Sequence, residues 1–372
     1  MKRIPFLLIL LVQLLIGCRP NDVPSFEASA DNAVEFSTLL YLRDDDSVSI
    51  CTIRDPWNHQ QAVCRYLLVP GSWSEGQVTD YVGRNDACQG YTVLRVPLQR
   101  NTLTAACHAW LLAELDALDR VAVMCDTAYV KADTLHSWLR VSHVADGGSS
   151  MAPNREVILA QHSDAIWLSP YEDEASGAST RWPMDQIYCA DYLETSPLGR
   201  AEWMKFYGRL VGRRAEADSL FEVVRQSYLS LLSQPVNDSL SLLAEVPYGS
   251  TWYVPGGNST AALLYRDAGY VYPWRDDANA GSLALSLEAV MARAQDCDRW
   301  IFKYNDPSRD WTLSDFMQQN PAFAHFRATR QGEVWACNTA KSDFFDVTPF
   351  RPDTLLRSLR RMDGAFFRRL NR

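Results

Sequence analysis

Apolar positions along this chain change period several times, and each change marks a structural element. Residues 4–16 are almost wholly apolar, and residues 19–33 are polar and contain Pro, Ser and Asp. Alternation then predicts strands over 36–53 and 62–69, with Asp55, Pro56, Trp57 and Asn58 at the turn between them. A loop-rich stretch over 71–90 leads to a strand over 92–96. Trp110, Leu111, Leu112, Leu115 and Leu118 fall at helical spacing, which predicts a helix over 104–118. A short buried strand over 121–125, a helix over 156–161 and strands over 165–168 and 187–190 complete the first half. Strands alternating with helices predict a mainly parallel sheet covered on both faces.

The pattern shifts at Ser196. Pro197 suits a helix start, where its missing N–H costs nothing. Trp203, Phe206, Tyr207 and Leu210 share one helical face, and after a break near Gly212 so do Leu220, Phe221, Val224, Tyr228 and Leu231. Gln234 and Pro235 close this helical region. Alternation then resumes, with strands over 241–246, 300–304 and 333–336 and helices over 261–268, 287–294 and 353–368. The expected fold is α/β, with two Rossmann-like lobes of mainly parallel sheet joined by a long helix. The lobes span 34–193 and 236–372, and the connecting helices 194–235.

The start of the chain has a separate job. Lys2 and Arg3 precede the apolar run, which at thirteen residues is shorter than the roughly 20 a membrane-spanning helix needs. The run ends in Leu15, Ile16, Gly17 and Cys18. A small residue before a cysteine at that place resembles the lipobox of bacterial lipoproteins. That resemblance makes 1–17 a signal peptide, Cys18 the lipidated first residue and 18–33 a tether, with the protein anchored to a membrane from the periplasmic side. Arg19, Pro20 and Asn21 form no acidic run of the kind that resembles an outer-surface export tag.

Removing 1–17 takes away two of the 36 basic residues and none of the 45 acidic ones, so the net charge becomes about −11. This argues against nucleic acid or an anionic membrane surface as partner. Eight cysteines follow Cys18, with no CxxC and no zinc-ligand spacing. Cys51 and Cys64 are placed to face each other across a hairpin, but pairing is not legible from sequence.

Two stretches 132 positions apart repeat one device. Asn154 is followed two places later by Glu156, and Ser286 by Glu288; each opens a short helix that leads to a buried strand. A glutamate there is favoured by the helix dipole alone. Two such carboxylates, one per lobe, also suit docking onto arginines, where bidentate pairing fixes orientation.

From Ala190 to Trp203 the chain resembles the substrate-binding lipoproteins of ABC importers for iron chelates, haem and vitamin B12, in the helical-bridge form common in Bacteroidetes. The likeness extends through Gly249 to Gly257, Gly281 to Leu283, Ser286 to Glu288 and Lys303 to Asn305. It implies a class III periplasmic binding protein fold, ligand held between the lobes, a separate inner-membrane permease as partner, and Glu156 and Glu288 as the docking glutamates. It also implies a monomer that has no cofactor of its own.

In open α/β lobes, ligands lie beyond the carboxyl ends of the strands. That rule selects loops rich in aromatics: Tyr129, Tyr171, Trp252, Tyr253, Tyr304, Phe344 and Phe345. Such rings suit a flat, partly apolar chelate or tetrapyrrole. Trp252 and Tyr253 stand out because Gly249, Gly256 and Gly257 make their loop read as exposed. Lys341 and Arg275 are the candidate charges for an anionic chelate, and His108 is a candidate ligand for haem iron or cobalt. Packing under their own loops, or plain surface solvation, is the alternative for each. A zinc- or manganese-binding relative needs converging ligands, and no motif groups the six histidines. A secreted hydrolase needs a nucleophile elbow or a metalloprotease motif, and neither is present.

Overall fold

The structure, a computed structural model, describes residues 32–58, 61–170, 181–236 and 240–371. Cys18 and Tyr171 lie outside the described residues. The first sheet has the order β1–β2–β3–β4, from Leu40–Asp45, Val48–Arg54, Ala62–Pro70 and Thr92–Val96. The single strand expected over 36–53 is a hairpin instead: Asp46 turns the chain at φ +49° and β1 pairs antiparallel with β2. β2 is buried on both faces. Cys51 and Ile53 join the main core, while Val48 and Ile50 meet Leu67, Val69 and Val78. Val78 belongs to helix α1 (Glu75–Arg84), whose start is closed by a capping box between Ser74 and Gln77. Cys51 stands opposite Tyr66 and Cys64 opposite Ile53, so the two thiols are out of register. All eight cysteines after Cys18 are unbridged.

The second sheet is the first lobe's parallel sheet, and it begins later than the sequence suggested. The strand at 92–96 is β4 of the hairpin sheet; the lobe opens with β5 (Asn101–Leu103). β5 is short and carries a buried polar residue, which hides it from a hydrophobic pattern. Asn101 is satisfied by donating to Arg120 O and accepting from Trp167 Nε1, both at 3.0 Å. Next come α2 (Ala106–Glu114), β6 (Val121–Met124), α3 (Asp133–Val141), β7 (Ala145–Asp146) and the small β8–β9 hairpin (Gly148–Ser149, Ala152–Pro153). They lead to α4 (Arg155–Ala160), β10 (Ala165–Leu168) and β11 (Asp185–Tyr188). The order is β11–β10–β5–β6–β7, and every pairing is parallel.

Helices α5 (Pro197–Glu202), α6 (Met204–Leu210) and α7 (Arg214–Leu232) follow. The Ser196 hydroxyl accepts from Gly199 N at 3.1 Å and starts α5. Trp203, Phe206, Tyr207, Leu210, Phe221 and Val224 are buried as their spacing requires. Glu202 accepts from the N–H groups of Glu35, Phe36 and Ser37. Glu194 accepts from those of Thr38 and Leu39. A buried carboxylate is tolerated because several N–H donors face it.

The second lobe has the sheet order β12–β16–β17–β18, from Leu242–Ala244, Arg299–Tyr304, Val334–Asn338 and Arg368–Arg369. The first three are parallel and β18 is an antiparallel edge. A separate antiparallel sheet joins β13 (Pro247–Tyr248), β14 (Thr251–Pro255) and β15 (Ser282–Leu285). Helices α8 (Thr260–Asp267), α9 (Leu287–Ala294), α10 (Leu313–Gln319) and α11 (Arg327–Gln331) surround this lobe. α12 (Phe344–Val347) and α13 (Pro352–Arg361) end the helical part. The last helix stops at Arg361, short of the expected 368, because Met362 turns left-handed at φ +48°. The stretch around α12 reaches back to the first lobe. Asp346 Oδ2 accepts from Lys131 N at 2.7 Å and Ala132 N at 2.8 Å.

Candidate functional site

β5 and β16 point their carboxyl ends toward a common space. A cavity of about 450 Å³ lies there, within the range of a small-ligand site. Its walls are the start of α2 (Ala105–Cys107), the face of α8 (Thr260, Leu264, Tyr265) and Phe344 with Phe345 of α12. Pro197 and Arg200 of α5 and Leu355 and Leu359 of α13 close it. The only charged side chains on these walls, among the described residues, are Arg200 and Lys303. A second cavity of about 460 Å³ adjoins it through Ala261 and is lined by Glu245, Tyr248, Tyr253 and Gly281.

Arg200 is held from behind. Its Nε lies 3.3 Å from Asp191 Oδ2, while Asp191 Oδ1 accepts from Tyr207 Oη at 2.8 Å and meets His108 Nε2 at 3.1 Å. Burial opposes ionisation of Asp191. The hydrogen bond and charge of His108, then Arg200 and Tyr207, outweigh it and hold the carboxyl below its ordinary range. The same burial and the Asp191 charge push the Tyr207 phenol well up. Arg200 lines the cavity, and its terminal nitrogens make no hydrogen bond to a described residue.

Lys303 pairs with Glu245 and stands 5.7 Å from the centre of the Phe344 ring. Glu245 sits just past β12 at φ +64°, a left-handed conformation that a non-glycine residue rarely adopts. Asp126, just past β6 in the first lobe, does the same at φ +53°.

The candidates named from sequence are distributed differently. His108 is 1 % exposed, packed edge-on against Tyr207 and Trp167 beneath the cavity wall. It faces Asp191, so it is out of reach of a cargo metal. Trp252 is fully buried, stacked on Trp300 at 5.4 Å with its Nε1 donating to Ala244 O. Strand parity explains this: in β14 Trp252 faces the core and its neighbour Tyr253, 48 % exposed, faces the second cavity. The glycines have a different reason from exposure. A side chain on Gly257 would collide with Asp277 O, Trp274 O and Arg275 O. Only Gly249, at φ +61°, serves a turn.

Tyr304 is stacked on Trp311 at 4.4 Å and accepts from Trp311 N at 2.9 Å. It belongs, with Lys341, to a separate polar cavity in the second lobe, where Lys341 pairs with Asp310 at 3.4 Å. Arg275 pairs with its neighbour Asp276 and lines neither cleft cavity. Tyr129 is exposed at the first lobe's edge, past β6, and is absent from the cavity walls. Arg200 and Lys303 escaped sequence reasoning, although both sit inside the motifs that prompted the family resemblance.

Glu156 and Glu288 are exposed in the first turns of α4 and α9. Asn154 caps one helix through Val157 N and Ser286 the other through Ala289 N. α4 feeds β10 and α9 feeds β16, so each helix delivers its C-terminal end to the sheet edge remote from the cleft. Its N-terminal end, with the glutamate, is therefore on the cleft side. The carboxyl of Glu288 is held below its ordinary range by its own backbone N–H and by Ser286.

Residues 111–340 match the family model described as periplasmic binding protein. The chain belongs to that family. This binding protein is 26 % identical over 367 residues to an uncharacterised lipoprotein of Methanocaldococcus jannaschii, covering 91 % of this chain and 83 % of the relative. Among solved structures it resembles one from Saccharomonospora viridis described as an ABC-type Fe3+-hydroxamate transport system. There the TM-score is 0.56 at 20 % identity, over 73 % of this chain and 95 % of the other. A periplasmic haem binding protein of Vibrio cholerae gives 0.54 at 14 %, over 70 % and 98 %. The fold is that of the class III periplasmic binding proteins. Among the described residues of the binding protein, no three His, Cys, Asp or Glu side chains converge as a metal site would require.

Proposed function

We propose that the protein is the lipid-anchored, periplasmic substrate-binding component of an ABC importer. It captures an iron chelate (siderophore or haem) or cobalamin and delivers it to an inner-membrane permease. The observation that carries this reading is the cavity of about 450 Å³ at the carboxyl ends of β5 and β16, with Arg200, Lys303, Tyr265, Phe344 and Phe345 on its walls. The likeness to the Saccharomonospora protein, an Fe3+-hydroxamate transport system, and to the Vibrio haem binding protein supports the same cargo class.

Delivery needs a grip that leaves the cleft free. Glu156 and Glu288, exposed on rigid helix starts of different lobes, meet permease arginines in this reading. Cys18 bears the lipid, and energy comes from a separate nucleotide-binding subunit. The test is a transport assay beside a binding assay. Glu156→Ala combined with Glu288→Ala is expected to keep chelate affinity and abolish uptake; normal uptake by that variant would refute the docking role.

A further inference from the structure

Both cations of the cleft face a carboxylate of the chain itself, Arg200 sharing its partner with His108. Arg200 is backed by Asp191, which is 2 % exposed, and Lys303 by Glu245. No other charged side chain lines the first cavity, and Glu245 is the only one lining the second, among the described residues. Asp343 and Asp346 flank the Phe344–Phe345 wall and add negative charge, with Asp346 spent on the N–H groups of Lys131 and Ala132. The cleft therefore presents N–H donors with no surplus positive charge.

A strongly anionic cargo has two poor options there. It meets an uncharged wall, or it displaces Asp191 or Glu245 and leaves a carboxylate without its partner in a partly dehydrated space, which is costly. A chelate without net charge meets neither cost. Its oxygen acceptors take the terminal N–H groups of Arg200, and its apolar faces lie against Leu264, Phe344 and Phe345.

We propose that the cleft selects cargo of little or no net charge, with Asp191 and Glu245 as the residues that set this preference by cancelling Arg200 and Lys303. This rests on the substrate-binding reading above. A neutral, oxygen-rich ferric complex of the trihydroxamate type fits, and a trianionic ferric tris-catecholate does not.

The test uses two probes, ferrichrome (a neutral ferric trihydroxamate) and ferric enterobactin (a trianionic tris-catecholate), titrated into the mature protein by tryptophan fluorescence. The wild type is expected to bind the neutral probe at least about tenfold more tightly. Glu245→Gln uncovers Lys303 and is expected to move the affinity ratio about tenfold toward the anion. Adding Lys303→Gln to that variant is expected to return the ratio to its wild-type value, which a merely structural effect of Glu245 would not do. A wild-type preference for the trianion, or a ratio unmoved by Glu245→Gln, would overturn the proposal. Binding of neither probe would overturn the charge preference; haem and cobalamin titrated alongside decide the function reading separately, since binding of either would leave that reading standing.

Discussion

Asp191 and Arg200 are joined at the floor of the cleft through a single contact, carboxylate Oδ2 to guanidinium Nε at 3.3 Å. The carboxylate is sealed off from solvent, while Arg200 lines the cavity. This geometry makes Arg200 a directed donor rather than a free surface charge. Arg200→Lys keeps the charge but loses the fork. Chelate affinity is expected to fall about tenfold or more, measured by isothermal titration, with a melting temperature close to wild type.

Asp191 itself is a stability residue. Asp191→Ala leaves Arg200 and Tyr207 without their buried acceptor and is expected to cost about 3–5 kcal/mol in denaturant unfolding. The folded carboxyl lies below its ordinary range, so its contribution is complete above that range. It is lost as pH falls through the folded value, below about pH 4. Wild-type stability is expected to drop there, and Asp191→Asn to show a shallower acid limb.

Trp252 and Tyr253 separate packing from binding in adjacent residues. Trp252→Ala empties a fully buried site among Trp300, Phe323 and Phe326 and is expected to cost about 3–5 kcal/mol. Tyr253→Ala is expected to leave the unfolding midpoint nearly unchanged and to weaken chelate binding. Thermal melts and titrations of the two variants side by side check both expectations.

Asp343 has the opposite sign from Asp191. Burial, with Asp346 and Asp133 nearby, pushes its carboxyl above the ordinary range. The ionised form is therefore disfavoured in the folded protein, and the penalty is present above the raised value. Asp343→Asn is expected to raise the melting temperature at neutral pH. The gain should shrink as pH falls through that value and be gone below about pH 4.

Asp346 ties the lobes together through two backbone N–H groups. Asp346→Ala leaves both unsatisfied, at about 1–3 kcal/mol each where water does not replace the acceptor. The wild type is expected to compact only slightly on chelate binding in small-angle scattering, because this tie already holds the cleft. The variant is expected to start more open and compact further.

The fold class was legible because its elements announce themselves. Buried strands such as β10 and β16 are apolar runs, and the face of Trp203, Phe206, Tyr207 and Leu210 has helical period. The missed pieces were short or polar. β5 is three residues with Asn101 buried, and the β13–β15 sheet has little apolar alternation. The candidate site was less legible because its contacts are distant in sequence. His108 finds Asp191 83 positions away, and no local pattern reveals that pairing. Trp252 was misplaced because glycines needed for close backbone approach resemble glycines of an exposed turn. Arg200 lay in plain view after Pro197, but only the structure aligns α5 with β16 and α12 around one cavity.

The most direct test of the account is titration of the mature protein and its Arg200→Ala variant with ferric chelates and haem, following tryptophan fluorescence and the chemical state of the ligand. The account predicts saturable one-to-one binding that leaves the ligand unaltered and is weakened at least about tenfold in the variant. Conversion of the ligand, or equal binding by wild type and variant, would contradict it.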